Sequence, residues 1–256
     1  MMVDSHAHLY FDNFDDDLND VLRRAKNSGV NRILNIGIDL ETSQKSIDLA
    51  NSYDEIYASV GIHPNEADNL PDDYIDNLIQ YLEHPKVVAI GEIGLDYYRD
   101  YTPKEKQLIV FQRQLDLALE KNYPIIVHTR NAWPDMIDVF NQEKYQNKLR
   151  GVVHCFSGDV SVARLMLDLG FFISFTGVIT FKNSGAVDVL KKIPLERLLL
   201  ETDCPFMAPV PFRGKRCEPM HVTLIGEKIA EIHNVSIEKV AAQTTKNIHT
   251  LFGIPI

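Results

Sequence analysis

The chain has 256 residues, 45% of them hydrophobic, which is ample for a full core, and a formal net charge of -10 at pH 7. That charge argues against a protein that coats nucleic acid non-specifically, while leaving room for a local basic patch in a cleft. No run of about 18 apolar residues occurs and no basic region precedes an apolar stretch, so neither a membrane span nor a secretory leader is expected. The three cysteines, Cys155, Cys204 and Cys217, are odd in number and lack zinc-ribbon spacing. They fit a reducing compartment, and a cytoplasmic location is expected.

The elements alternate along the chain. "MVDSHAH" reads as a first strand, and "DDDLNDVLRRAKNSG" opens with acids and stops at Gly29, the signals of a helix. "RILNIGI" leads to "ETSQKSIDLANSY", "IYASVGIH" to "PDDYIDNLIQYLEH", and "VVAIGEIG" to "PKEKQLIVFQRQLDLALEKN". "PIIVHT" leads to "AWPDMIDVFNQEK", where Pro134 falls in the first helical turn and its missing N–H costs little. "GVVHCFS" precedes "DVSVARLMLDLG", "FFISFTG" precedes "SGAVDVLKKI", and "LLLETD" precedes "MHVTLIGEKIAEIHN". A last pair of segments in "SIEKVAAQTTKNIHTLFG" is expected to cover the bottom or flank of the core.

Eight strand-then-helix units predict an α/β fold with parallel strands and helical crossovers. Eight is also the number that closes a (β/α)8 TIM barrel, here expected as one domain over residues 1–256. An open doubly wound sheet is the alternative, but it gathers its chemistry at one crevice between two strands. Here the unusual polar residues end many strands, as a barrel mouth requires. They are His6 and His8, His63, Glu92, His128, His154, and the pair Glu201 and Asp203. Side chains two apart on a strand share a face, so Asp4, His6 and His8 point one way, and two neutral imidazoles can hold one metal ion. A single strand-end histidine is explained by an ordinary hydrogen bond. The whole set is not, because buried charge is costly unless paired or bound to metal.

The stretches "DSHAHL", "VGIHP", "GEIGLDYYRD", "PIIVHTR", "HCFSG", "ETDCPFMAP" and "PFRGKRCEP" resemble, in the same order, the TatD family of metal-dependent deoxyribonucleases. That family lies within the amidohydrolase-like metal-dependent hydrolases. Cys204 departs from the alanine often found there. The resemblance implies two divalent ions per chain. His6 and His8 would hold the first with Asp203, Glu92 would bridge both, and His128 and His154 would hold the second. A carboxylate has two oxygens for a bridge, whereas an imidazole offers one lone pair. This donor set suits Zn²⁺, Mn²⁺, Fe²⁺ or Ni²⁺; Mg²⁺ prefers oxygen ligands and retained waters. Asp203 and Glu92 are the expected catalytic carboxylates, Asp203 doubling as proton acceptor.

Other assignments stay open at this level. His63 is a substrate contact or a structural residue, and Glu201 orients a ligand from behind or is an ordinary barrel-interior acid. Arg99, Arg130, Arg213, Lys215 and Arg216 grip phosphates or are solvated. Tyr97, Tyr98 and Phe212 stack on bases or pack under their loops. The expected activity is hydrolysis of DNA phosphodiester bonds, trimming single-stranded ends in repair or degradation. Single-stranded DNA is then the expected partner, with no membrane and no obligate protein partner. The alternative is hydrolysis of a small-molecule amide, ester or lactone on the same site. A third reading, a metal-stabilised interaction module without catalysis, is disfavoured by so complete a ligand set.

Overall fold

Eight strands pair in parallel in strict chain order: β1 (Met2–Ala7), β2 (Val30–Ile36), β3 (Ile56–Val60), β4 (Val87–Asp96), β5 (Ile125–Arg130), β6 (Gly151–Val153), β7 (Phe172–Phe175) and β8 (Leu198–Leu200). The computed structural model describes residues 1–99 and 101–255. Helices α1 (Leu18–Asn27), α2 (Leu40–Ser52), α3 (Tyr74–Leu82), α4 (Lys104–Lys121), α5 (Trp133–Phe140), α6 (Val160–Asp168), α7 (Ala186–Leu190) and α8 (Val222–His233) follow the strands one by one, and α9 (Ile237–Phe252) comes last. This is the nearly closed (β/α)8 barrel that the strand count predicts. The ring closes just past the strand ends. Ala7 bridges Cys204 in parallel, His8 N–H donates to Cys204 O at 2.8 Å, and Asp203 N–H donates to His6 O at 2.9 Å. The closing seam therefore lies among candidate ligands.

Local chemistry explains the elements. Asp39 and Thr42 form a reciprocal capping box at the start of α2. Helix α1 turns Val21, Leu22 and Ala25 onto the sheet and its charged side chains outward. Gly94 has φ +148°, and a Cβ there would stand 1.9 Å from the carbonyl oxygen of His128. Glycine thus lets β4 lie against β5 at the level of His128.

One apolar layer lies between sheet and helices, and another fills the barrel. The inner layer includes Val3, Leu34, Ala89, Ile126, Val152, Phe172 and Leu199, packed with Ile248, Leu251, Phe252 and Ile254 from the end of the chain. The last segments therefore cover the bottom, as expected, but they are one helix and not two. Ser236 caps α9, no glycine or proline interrupts it, and the hydroxyl of Thr244 is satisfied on the carbonyl of Val240 within the helix. All three cysteines are free. Among the described residues no helix is long and apolar enough to cross a membrane.

Candidate metal centre

His6 is fully buried at the end of β1, and its Nε2 lies 3.2 Å from Nε2 of His8. The Nδ1 of His8 is 3.0 Å from the carbonyl oxygen of Ile36, which accepts its proton and leaves the Nε2 lone pair facing inward. Asp203 Oδ1 lies 3.4 Å from His8 Nε2 and 3.7 Å from His6 Nε2. Glu92 divides its oxygens. Its Oε2 is 3.4 Å from His6 and 3.8 Å from His8, while Oε1 is 2.7 Å from both His128 Nδ1 and His154 Nε2.

Electrostatics follow from this packing. Burial alone would raise Glu92, but the imidazoles of His154, His128 and His6 hold it well below the usual carboxylate range. Burial likewise opposes charge on His154, yet Glu92 outweighs it and moves His154 up to about 9. Burial, with His154 stacked on it, takes His6 down to about 4. Asp203, despite burial, is held below its ordinary value by His8 and His6.

The donor set fits divalent cations. Among the described residues every ion pair of Glu92 and Asp203 is with an imidazole, and no lysine or arginine neutralises them. Three trios bring ligand atoms within 4.8 Å of one another: His6, His8 and Asp203; His6, Glu92 and His154; His63, Glu92 and His128. Imidazole and carboxylate together are the donors that borderline first-row metals favour. His63 differs from the rest. Its Nδ1 accepts the backbone N–H of Asn65 at 3.1 Å, so the neutral ring carries its proton on Nε2, which points toward Glu92 Oε1 at 3.7 Å. That nitrogen is a donor facing the cleft, not a free lone pair.

Supporting carboxylates surround the cluster. Glu201 accepts Cys155 N–H at 2.6 Å and the Ser174 hydroxyl at 2.7 Å, beside His154. Burial lifts it to about 7. Asp4, expected to share a face with His6 and His8, joins none of these trios; it is buried and accepts the N–H and hydroxyl of Thr202 at 2.9 and 2.6 Å. Asp96 is a residue the sequence reading missed. Its Oδ2 is 3.2 Å from His128 Nε2, and its Oδ1 accepts the N–H groups of Tyr98 and Arg99. Burial opposes its charge, but the His128 bond prevails and takes it down to about 2. The signal lay in the strand itself, since alternation from Glu92 through Gly94 reaches Asp96.

The cluster floors a cleft of about 1190 Å³. Arg99 and Arg130 line it, and the Arg130 guanidinium lies 3.6 Å from the centroid of the Tyr98 ring. Arg213, Lys215 and Arg216 do not line it. Arg213 lies over Phe181 and Lys215 over Phe212. Arg216, expected to face a phosphate, is instead taken up by Asp17 and Glu218 at 2.8 Å and by the carbonyl of Asn13. The aromatics expected to stack are also engaged: Tyr97 donates to Asp135 at 2.6 Å, Tyr98 lies under Arg130, and Phe212 stacks on His221.

Comparison with known proteins agrees with this arrangement. The family model described as TatD related DNase matches residues 3–253. A metal-dependent hydrolase of Bacillus subtilis strain 168, YabD, whose activity is uncharacterized, is 43% identical over 99% of this chain and 100% of its own length. A 3'-5' ssDNA/RNA exonuclease TatD of Shigella flexneri serotype 5b is 34% identical over 99% of both chains. The crystal structure of YJJV, a TatD homolog from Escherichia coli k12, superposes with a TM-score of 0.93 at 33% identity, covering 99% of this chain and 98% of that one.

Proposed function

Because the chain belongs to the TatD family of metal-dependent hydrolases, we propose that it is a two-metal phosphodiesterase that trims single-stranded DNA from an end. The observation that carries this reading is the division of Glu92, one oxygen toward His6 and His8 and the other toward His128 and His154. On this reading His6, His8 and Asp203 would hold one ion, His128 and His154 the other, and Glu92 would serve both. Two such ions would supply Lewis-acid activation of water and neutralise charge on the phosphoryl group.

The chain's own side chains do the rest. Asp203, whose side chain keeps 15% of its surface exposed to the cleft, accepts the proton of the attacking water. His63 donates its Nε2 proton to a phosphoryl oxygen. Arg99 and Arg130 hold phosphates flanking the cut, and the Tyr98 ring fixes the plane of Arg130. Arg213 and Lys215, both exposed, take outer phosphates of a longer strand. Glu201 and Asp96 orient His154 and His128. The cleft exceeds the usual range of about 300–1,000 Å³ for a small-molecule site, which favours the end of a polymer. The name of the Shigella relative, an exonuclease of ssDNA and RNA, also supports a single-stranded substrate.

The test is incubation of the pure protein with end-labelled single-stranded DNA, single-stranded RNA and duplex, beside amide, ester and lactone substrates. Each arm is run with divalent metal and with chelator. Stepwise shortening of single-stranded DNA, abolished by chelator, is expected. Hydrolysis of a small molecule with every strand left intact would overturn the reading. Elemental analysis of a His6→Ala, His8→Ala double variant should show about one ion fewer per chain with the fold retained, since strand-end groups lie beyond the core layers.

A further inference from the structure

Eight large hydrophobic side chains stand exposed among the described residues, and three of them, Tyr101, Phe206 and Met207, line the cleft. Phe206 is 52% exposed, although it follows Asp203 by only three residues. It is not loose. Its N–H donates to the carbonyl of Asp203 at 2.9 Å, closing a turn that begins at the candidate ligand. Phe11 packs edge-on against its ring, with centroids 5.8 Å apart and planes at 72°. Met207 follows in the left-handed region at φ +54° and fixes the exit of the turn. An aromatic held this firmly at the lip of a polar cleft is a surface for an apolar or π partner.

We propose that Phe206, buttressed by Phe11, is the stacking platform for the base of the nucleotide whose phosphate lies against Asp203 and Glu92. This rests on the nuclease reading above and adds to it a subsite. A four-residue turn keeps the Cα atoms of Asp203 and Phe206 within about 7 Å. That span is comparable with the distance from a phosphate to the base on its own nucleotide. Arg99 and Arg130 line the same cleft, so one strand can set its phosphates on the arginines and one base on Phe206. Every base has a π face, so such a platform accepts all four and confers little sequence preference. It also requires an unpaired base, which favours single strands over duplex.

The experiment uses short single strands carrying one abasic residue, placed at each position in turn. Cleavage is measured with metal, and binding by fluorescence anisotropy in chelator. For the wild type, one abasic position should lower kcat/KM and affinity by about tenfold to a hundredfold, the range of one base–aromatic stack. Phe206→Ala should lose a similar factor on the intact strand and no longer distinguish the abasic one. Phe206→Trp should restore the distinction. Wild-type behaviour by Phe206→Ala, or an equal loss on both kinds of strand, overturns the platform while leaving the nuclease reading standing. A wild type that cuts no strand, only a small molecule, overturns both.

Discussion

Asp203 combines a candidate ligand atom, a candidate base and a left-handed backbone at φ +59° in one residue. Aspartate and asparagine tolerate that conformation better than most side chains, and strain of this kind gathers at functional sites. Asp203→Asn therefore keeps the backbone, the size and one oxygen ligand, and removes only the basic carboxylate. We expect kcat to fall about a hundredfold or more, with little change in strand affinity. Saturating Mn²⁺ or Zn²⁺ should not restore it; full recovery would reduce Asp203 to a ligand alone. The histidines around it were legible in the sequence because each ends an apolar run where a polar group is costly. Asp96 was not, because "DYYRD" resembles a loop, whereas β4 runs two residues past "VVAIGEIG", through Leu95 to Asp96. Alternation also could not separate Asp4 from His6, because the pairing of β1 with β2 shifts register between Asp4 and Ala7.

The loop between β8 and α8 shows why charge composition alone misleads. Four charged groups form a closed set: Arg24 of α1 reaches Glu218 at 2.8 Å and Asp17 at 3.0 Å, and Arg216 reaches both acids at 2.8 Å. The sequence displays the basic residues of this loop together, whereas Asp17 lies at the start of the chain and joins them only through the fold. Arg216 therefore anchors its loop to α1. On the nuclease reading, Arg130→Ala should reduce the slope of log affinity against log salt by roughly 0.7, the share of one phosphate contact on a single strand. Arg216→Ala should leave the slope unchanged and lower the thermal midpoint instead. A flattened slope in the Arg216 variant would return that residue to the substrate.

At the scale of the molecule, the barrel mouth carries the chemistry and α9 closes the opposite end. Phe252 is buried in the inner apolar layer, remote from the ligand cluster. Phe252→Ala should cost about 3–5 kcal/mol in denaturant unfolding. Metal content per folded chain should not change, because the inner side chains insulate the mouth from the floor. Loss of metal in proportion to the substitution would mean that floor and mouth are mechanically coupled. The strand count made the barrel legible. The single closing helix was less so, because threonines in "AQTTKN" weaken helix propensity and only tertiary burial restores it.

The position of α9 also orders events during synthesis. Asp203 is made about two hundred residues after His6, the candidate ligand it faces. Even then the barrel is hollow, since Ile248, Leu251, Phe252 and Ile254 have still to fill it. The candidate ligand set is therefore incomplete until Asp203 has been made, and on the two-metal reading both ions would bind only after synthesis has passed that residue. A chain arrested between Asp203 and Ile248 would display the full set of candidate ligands above an open apolar bore. For the quality-control machinery of a cell, that intermediate is the form of this protein most in need of a chaperone.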